Sequence, residues 1–256
     1  MKYQIVTLAK YIAQEAIYTR FFVVMLTLLL IGLGITLFIG QITLTEGQAI
    51  KSSLLAAFLR LSAAYGLSLF VITSIVREFN DHTLYLWLSF PLRRGQYLVG
   101  KFCGFALVAA ITALFYGGAL WGYAPYDQVS LWTLSLFCEL LIVTALSLLC
   151  VFTFPHTLQA FSAVLGFYVL ARSINAMQLM TLGPLQSSDT WGNHLVNNLV
   201  KLLAMLLPNL AHFTQSEWLA YQSGRLSNLG DILVQTMIYV ILLVSMSLFD
   251  FYRKNL

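Results

Sequence analysis

The sequence predicts an all-α polytopic membrane protein with six transmembrane helices, an N-terminal interfacial helix and short external helices between spans five and six. Three observations predict it. Of 256 residues, 59% are hydrophobic and only 9% are charged, whereas a soluble domain carries about 25% charged residues. The mean hydropathy is +0.82. Six apolar runs, each near the ~20 residues that a helix needs to cross the hydrocarbon core, alternate with polar stretches. No linker, internal repeat or low-complexity tract divides the chain, so residues 1–256 read as a single membrane domain.

Residues 1–20 predict the interfacial helix. Ile5, Leu8, Ala9, Ile12, Ala16 and Ile17 recur near helical spacing, while Gln4, Thr7, Lys10 and Gln14 fall on another face. The stretch is too polar for a cleaved signal peptide, so the first apolar run reads as an uncleaved anchor. Span one covers 21–40, and 41–52 reads as a polar loop. Span two, 53–76, contains Arg60, and the polar segment 77–101 follows. Span three is 102–121, with a tight loop at 122–130. Span four, 131–154, contains Glu139, and Pro155, His156 and Thr157 form a short turn. Span five, 158–177, contains Arg172. Segment 178–231 precedes span six, 232–249.

Within 178–231, residues 193–207 are amphipathic but only ~22 Å long as a helix, which predicts an external or re-entrant helix rather than a span. Thr214, Gln215, Ser216 and Glu217 have capping-box spacing and predict a second short helix. Orientation follows from counting cations. Nine Lys and Arg lie on the side of both termini and of 77–101; Lys51, Lys201 and Arg225 lie opposite. The positive-inside rule places both termini and 77–101 in the cytoplasm, with 178–231 outside. Trp121, Trp132, Trp191 and Trp218 then fall near the outer interface, as in an aromatic belt.

Several function classes are excluded or disfavoured. There is no GxxxxGK pattern followed by Ser or Thr, no HExxH and no visible nucleophile–base pair. No basic run with interleaved aromatics fits nucleic acid. Cys103, Cys138 and Cys150 sit in apolar runs without a CxxC and read as packing residues. His194 and His212 lack an obvious third metal ligand. Ser62 with Gly66, and Gly100 with Gly104, are small pairs four apart that let helices approach closely.

Two constellations stand out. In 77–101, Asn80 or Asp81 can cap a helix through 84–88, with Leu84, Trp87 and Leu88 on one face. Pro91 ends it, Gly95 allows a turn, and 96–101 leads into span three. Such a helix docks into a groove of a soluble partner, or lies on the membrane surface with its Arg and Lys snorkelling. The second constellation is Arg60, Glu139 and Arg172. A charge at the bilayer centre costs about 2.5–3.5 kcal/mol. All three fall ~7–12 Å from the outer ends of their spans, so they either share charge or snorkel outward.

Segment 77–101 resembles the signature region of ABC-2-type transporter permeases, the membrane subunits of type V ABC exporters. The matching residues are Glu78, Thr83, the apolar 84–90, Pro91, Arg93 and Arg94, and Tyr97-Leu98-Val99-Gly100-Lys101; His82 stands where the family usually has Gly. The plan of interfacial helix, six spans and external helices is similar as well, and the resemblance leans toward the copper-enzyme-maturation or gliding-type branch. It implies a permease homodimer in the bacterial inner membrane, coupled to a dimer of separate ABC ATPase subunits. ATP and Mg would belong to those subunits, and this chain would carry no cofactor and no catalytic residue. It assigns ATPase coupling to Glu78, Asp81, Thr83, Leu84, Trp87, Leu88, Pro91, Arg93 and Arg94. It places Arg60 and Arg172 on the translocation path, with Glu139 orienting one of them. The other function reading is a membrane scaffold or assembly factor without transport.

Overall fold

The computed structural model describes residues 2–42, 47–81, 94–181 and 191–253. These fold into α1 (Lys2–Tyr18), α2 (Phe21–Ile42), α3 (Gly47–Asn80), α4 (Arg94–Leu120), α5 (Tyr126–Thr153), α6 (Thr157–Thr181), α7 (Trp191–Leu206), a 3-10 turn (Leu210–His212), α8 (Ser216–Tyr221) and α9 (Leu226–Arg253). The described residues contain no strand. Six helices, α2 to α6 and α9, are long and apolar enough to cross a membrane. The chain is an all-α, multi-pass membrane protein.

Helices run past the apolar stretches that announce them. α3 has 34 residues, about 50 Å of helix, and it starts inside the expected polar loop at 41–52. Gln48, Ala49 and Lys51 are sound helix formers, and nothing there stops the helix from extending beyond the apolar run. α4 already begins at Arg94, so Gly95 lies within helix rather than in a turn, and 96–101 forms the first turns of the span. The loop expected at 122–130 ends early, because Pro125 (φ −59°, ψ 144°) caps α5 and Asp127 sits in its first turn, where the helix dipole favours an anion. α5 stops at Phe154, which is extended (φ −93°, ψ 140°) because the residue before Pro155 resists helix.

The centre of the bundle is α5. In its apolar window 78% of residues are buried, against 22% in α2 and in α9. α3, α4, α6 and α9 pack around it. A helix enclosed this way can hold polar groups facing its neighbours, whereas α2 and α9 present broad apolar surfaces to lipid or to another protein.

α1 is amphipathic as expected, but its apolar face seats on protein. Leu8, Ile12 and Ala16 are buried while Ile17 is exposed. The Gly100/Gly104 pair makes this approach possible. A Cβ at Gly104 would meet Ile12 Cδ1 at 2.5 Å and the Ala9 backbone at 3.1 Å. Gly104→Leu should therefore unseat α1. With a reporter cysteine at Ile12, thiol labelling should run at least about tenfold faster in that background than with Gly104 intact. Unchanged labelling would show that α1 is held elsewhere.

The two chain ends lie at the same end of the bundle. α1 covers the start of α4, where Tyr97 stacks on Phe251 near the end of α9 with ring centroids 5.8 Å apart. Asp250 accepts a hydrogen bond from the Thr153 hydroxyl at 2.7 Å. At the opposite end the aromatic belt is only partly realised. Trp121 is exposed, but Trp132 and Trp218 are buried. The chain after α7 folds back over the ends of α3 and α5 that lie far from the chain termini, and it covers Trp132 and buries its own Trp218.

Candidate functional site

The far end of the bundle holds a buried polar cluster built on Glu139. Its carboxylate is fully buried on α5. The Tyr168 hydroxyl on α6 donates to Oε1 at 2.7 Å, and the Thr214 hydroxyl donates to Oε2. Arg172, one turn after Tyr168, brings Nη1 to 3.8 Å from Oε1. The same Nη1 donates to the carbonyls of Leu210 and Phe213, the latter at 2.9 Å. From α3, Arg60 Nη1 donates to the Thr214 carbonyl at 2.9 Å. Ser135, one turn before Glu139, accepts from the Thr214 N–H at 2.8 Å.

Arg60, Glu139 and Arg172 therefore belong to one network, and the object they share is the chain segment around 210–214. Every hydrogen-bonding group of Thr214 is engaged: its N–H by Ser135, its carbonyl by Arg60 and its hydroxyl by Glu139. Thr214 has φ 42°, a left-handed conformation in which a β-branched residue is strained. Such strain costs about 1–3 kcal/mol and persists only when the surroundings over-determine it. The three charged residues hold a bent loop inside the far end of the bundle.

Arg60 is only 9% exposed and Glu139 is 0% exposed; within this chain their partners are loop backbone and neighbouring side chains. Arg172 keeps 22% of its side chain accessible. Arg60 Nε is buried without a hydrogen-bond partner, so its guanidinium is not fully satisfied. One expectation is corrected here: the capping box at 214–217 does not form. α8 starts at Ser216 with Gln215 as its N-cap and no side-chain cap, because the Thr214 hydroxyl is committed to Glu139. Sequence reasoning missed Tyr168, Ser135 and Thr214. The first two carried a usable signal, each lying four residues before a charged member on the same helix.

The near end holds a second buried ion pair. Glu78, in the last turn of α3, pairs with Lys101 on α4 and accepts from the Tyr97 hydroxyl. Lys101 is fully buried. Its ammonium lies 5.6 Å from the ring centroid of Tyr11 and 5.9 Å from those of Tyr97 and Phe105, within range for cation–π attraction. Of the residues assigned to ATPase coupling, Glu78 is thus turned inward, with its carboxylate occupied. Asp81 is exposed just after α3, and its N–H donates to the Arg77 carbonyl. Arg94 opens α4. Thr83, Leu84, Trp87, Leu88, Pro91 and Arg93 lie outside the described residues.

His156 is exposed in the short turn between α5 and α6. The described residues contain no group of His, Cys, Asp and Glu able to hold a metal ion. All three cysteines are free, with Cys138 and Cys150 buried. No family model matches the chain, and no curated protein matches it.

Proposed function

We propose that the chain is the membrane-spanning permease subunit of an ATP-driven ABC exporter, working as a homodimer with two copies of a separate ATPase. The observation that carries this reading is the construction of residues 77–101. The segment joins two spanning helices, and the ends of those helices are locked together by the buried Glu78–Lys101 pair. A force applied between residues 82 and 93 would be delivered to α3 and α4 as one unit rather than absorbed by a loose loop. The sequence has no nucleotide-binding motif, so in this reading ATP and Mg belong to the partner.

The cation distribution supports a cytoplasmic location for both chain ends and for this segment, in a bacterial inner membrane. The sparsely buried α2 and α9 supply surface for lipids and for a second copy of the chain. In this scheme closure of the ATPases pushes on 82–93, α3 moves, and the strain is felt at the other end of α3, where Arg60 grips the Thr214 loop. The outer cluster would then act as the latch of the export path. The cargo class compatible with such a path is amphipathic or lipid-linked, or a small sulfur or metal species.

Co-purification with a candidate ABC ATPase encoded near it tests the proposal. The ATPase should be retained by the native chain, and the double substitution Leu84→Asp with Trp87→Asp should reduce retention at least about tenfold. An ATPase that fails to bind, or that binds the double variant equally, would leave a membrane scaffold as the better reading.

A further inference from the structure

A cleft opens between α1, α2 and α3 at the end of the bundle that carries the chain termini. Its upper part has a volume of about 490 Å³ and is lined by Tyr11, Gln14, Glu15, Tyr18, Thr19 and Arg77. A second part, about 260 Å³, shares Glu15, Thr19 and Arg77 and continues along Phe21, Val24, Met25, Leu69 and Phe70 down to Gly66. One end is polar and the other apolar. The apolar end is flanked by Val24 and Leu69, which are 50% and 46% exposed on the outside of the bundle, so it opens sideways toward hydrocarbon.

The charges on its walls are arranged for a guest. Glu15 Oε2 accepts from the Ser74 hydroxyl at 2.8 Å, which fixes the carboxylate on the cleft wall. Among the described residues, Glu15 Oε1 has no hydrogen-bond partner, and the exposed Arg77 guanidinium has no hydrogen-bond or ion-pair partner. The two opposite charges line one cleft without pairing with each other. Burial, followed by the Glu15 carboxylate, raises the Tyr11 phenol above its ordinary value, so it stays protonated at neutral pH. From Arg77 to Gly66 the helix rises ~16 Å, close to the ~15 Å depth of one leaflet's hydrocarbon.

We propose that this cleft binds one phospholipid with a zwitterionic, primary-ammonium headgroup, of the phosphatidylethanolamine class, in the leaflet beside α1. Arg77 takes the phosphate, for which a guanidinium is well suited. Glu15 Oε1 accepts from the ammonium, and one acyl chain lies along Phe21, Met25 and Phe70. A trimethylated ammonium has no N–H to donate to Glu15, and an anionic headgroup without an amine is repelled by it. Lipid bound there bridges α1 to α2 and α3 at the position where α1 ends. The inference does not depend on the permease reading.

Native mass spectrometry of the purified full chain, given equal amounts of dioleoyl phosphatidylethanolamine, phosphatidylcholine and phosphatidylglycerol, tests it. The ethanolamine lipid should be retained about fivefold over each of the others. Arg77→Gln should remove most of that retention. Glu15→Gln keeps an acceptor for Ser74 and should abolish the preference over phosphatidylcholine. Leu69→Trp, on the outer surface, should plug the apolar end and lower retention without changing the melting temperature. Equal retention of the three lipids, preferential retention of phosphatidylglycerol, or full retention by Arg77→Gln would each overturn the proposal.

Discussion

Lys101→Met should destabilise the bundle by about 3–5 kcal/mol, the usual cost of leaving one member of a buried ion pair without its partner. Lys101 is fully buried and its ammonium contacts Glu78, whose other oxygen accepts from Tyr97. Removing the cation leaves an ionised carboxylate among Tyr97, Phe105, Tyr11 and the apolar wall of α4, where it must take up a proton or pull water in. The companion substitution Glu78→Gln with Lys101→Met removes both charges and keeps an acceptor for Tyr97. It should recover most of the loss, because replacing a buried pair as a whole is often close to neutral. Unfolding of the purified chain in detergent, followed by heat or by SDS titration, reads both. A single variant as stable as the native chain, or a double variant no better than the single, would show that the pair is not a structural clamp. The same variants bear on coupling. If the proposed coupling to an ATPase holds and the clamp transmits force from 82–93, the double variant should bind that ATPase normally yet support less ATP turnover.

The sequence displayed the spans clearly, because a bilayer demands unbroken apolar runs and no other solvent does. Helix ends were less legible. Gly47 to Lys51 and Arg94 to Lys101 are polar, and polarity reads as loop even where residues of good helix propensity simply continue a helix beyond the apolar run. The same blindness hid the Glu78–Lys101 clamp. Lys101 counted as one more cytoplasmic cation and Glu78 as a residue offered to a partner, since no periodicity links positions on two different helices. Depth arithmetic did group Arg60, Glu139 and Arg172, because rise per residue is reliable inside a span. What that arithmetic could not show is their common partner. Thr214 and the carbonyls of Leu210 and Phe213 belong to a chain segment after α7, and backbone acceptors carry no sequence signature. The buried Trp132 and Trp218 mislead for a related reason: a Trp at interface depth looks the same whether it meets headgroups or a returning loop.

Glu139→Ala should be the most damaging single change at the far end of the bundle, again about 3–5 kcal/mol, because it deprives Tyr168 and Thr214 of their acceptor and leaves Arg172 without its carboxylate. Glu139→Gln keeps the shape and one acceptor oxygen and turns the other into an NH2 donor, so one of the two hydroxyls must rotate to accept, and its cost should still be smaller than that of Ala. Thr214 separates the roles of hydroxyl and backbone. Thr214→Val keeps the β-branch in the strained left-handed conformation at φ 42° and removes the donor to Glu139; it should cost more than about 2 kcal/mol. Thr214→Asn carries a side-chain donor and tolerates that backbone far better, so it should remain within about 1 kcal/mol of the native chain. Thermal unfolding gives the order of the four variants, and thiol labelling of a cysteine placed at Leu210, a buried position, reports whether the loop has lifted. If the cluster is a latch, labelling should rise in Glu139→Ala and Thr214→Val and stay low in Thr214→Asn. The idea fails if Glu139→Ala melts like the native chain, or if Asn at 214 is worse tolerated than Val. In the first case the carboxylate contributes nothing to holding the loop. In the second the left-handed backbone is not the constraint, and the grip must come from the packing of Leu210 and Phe213 instead.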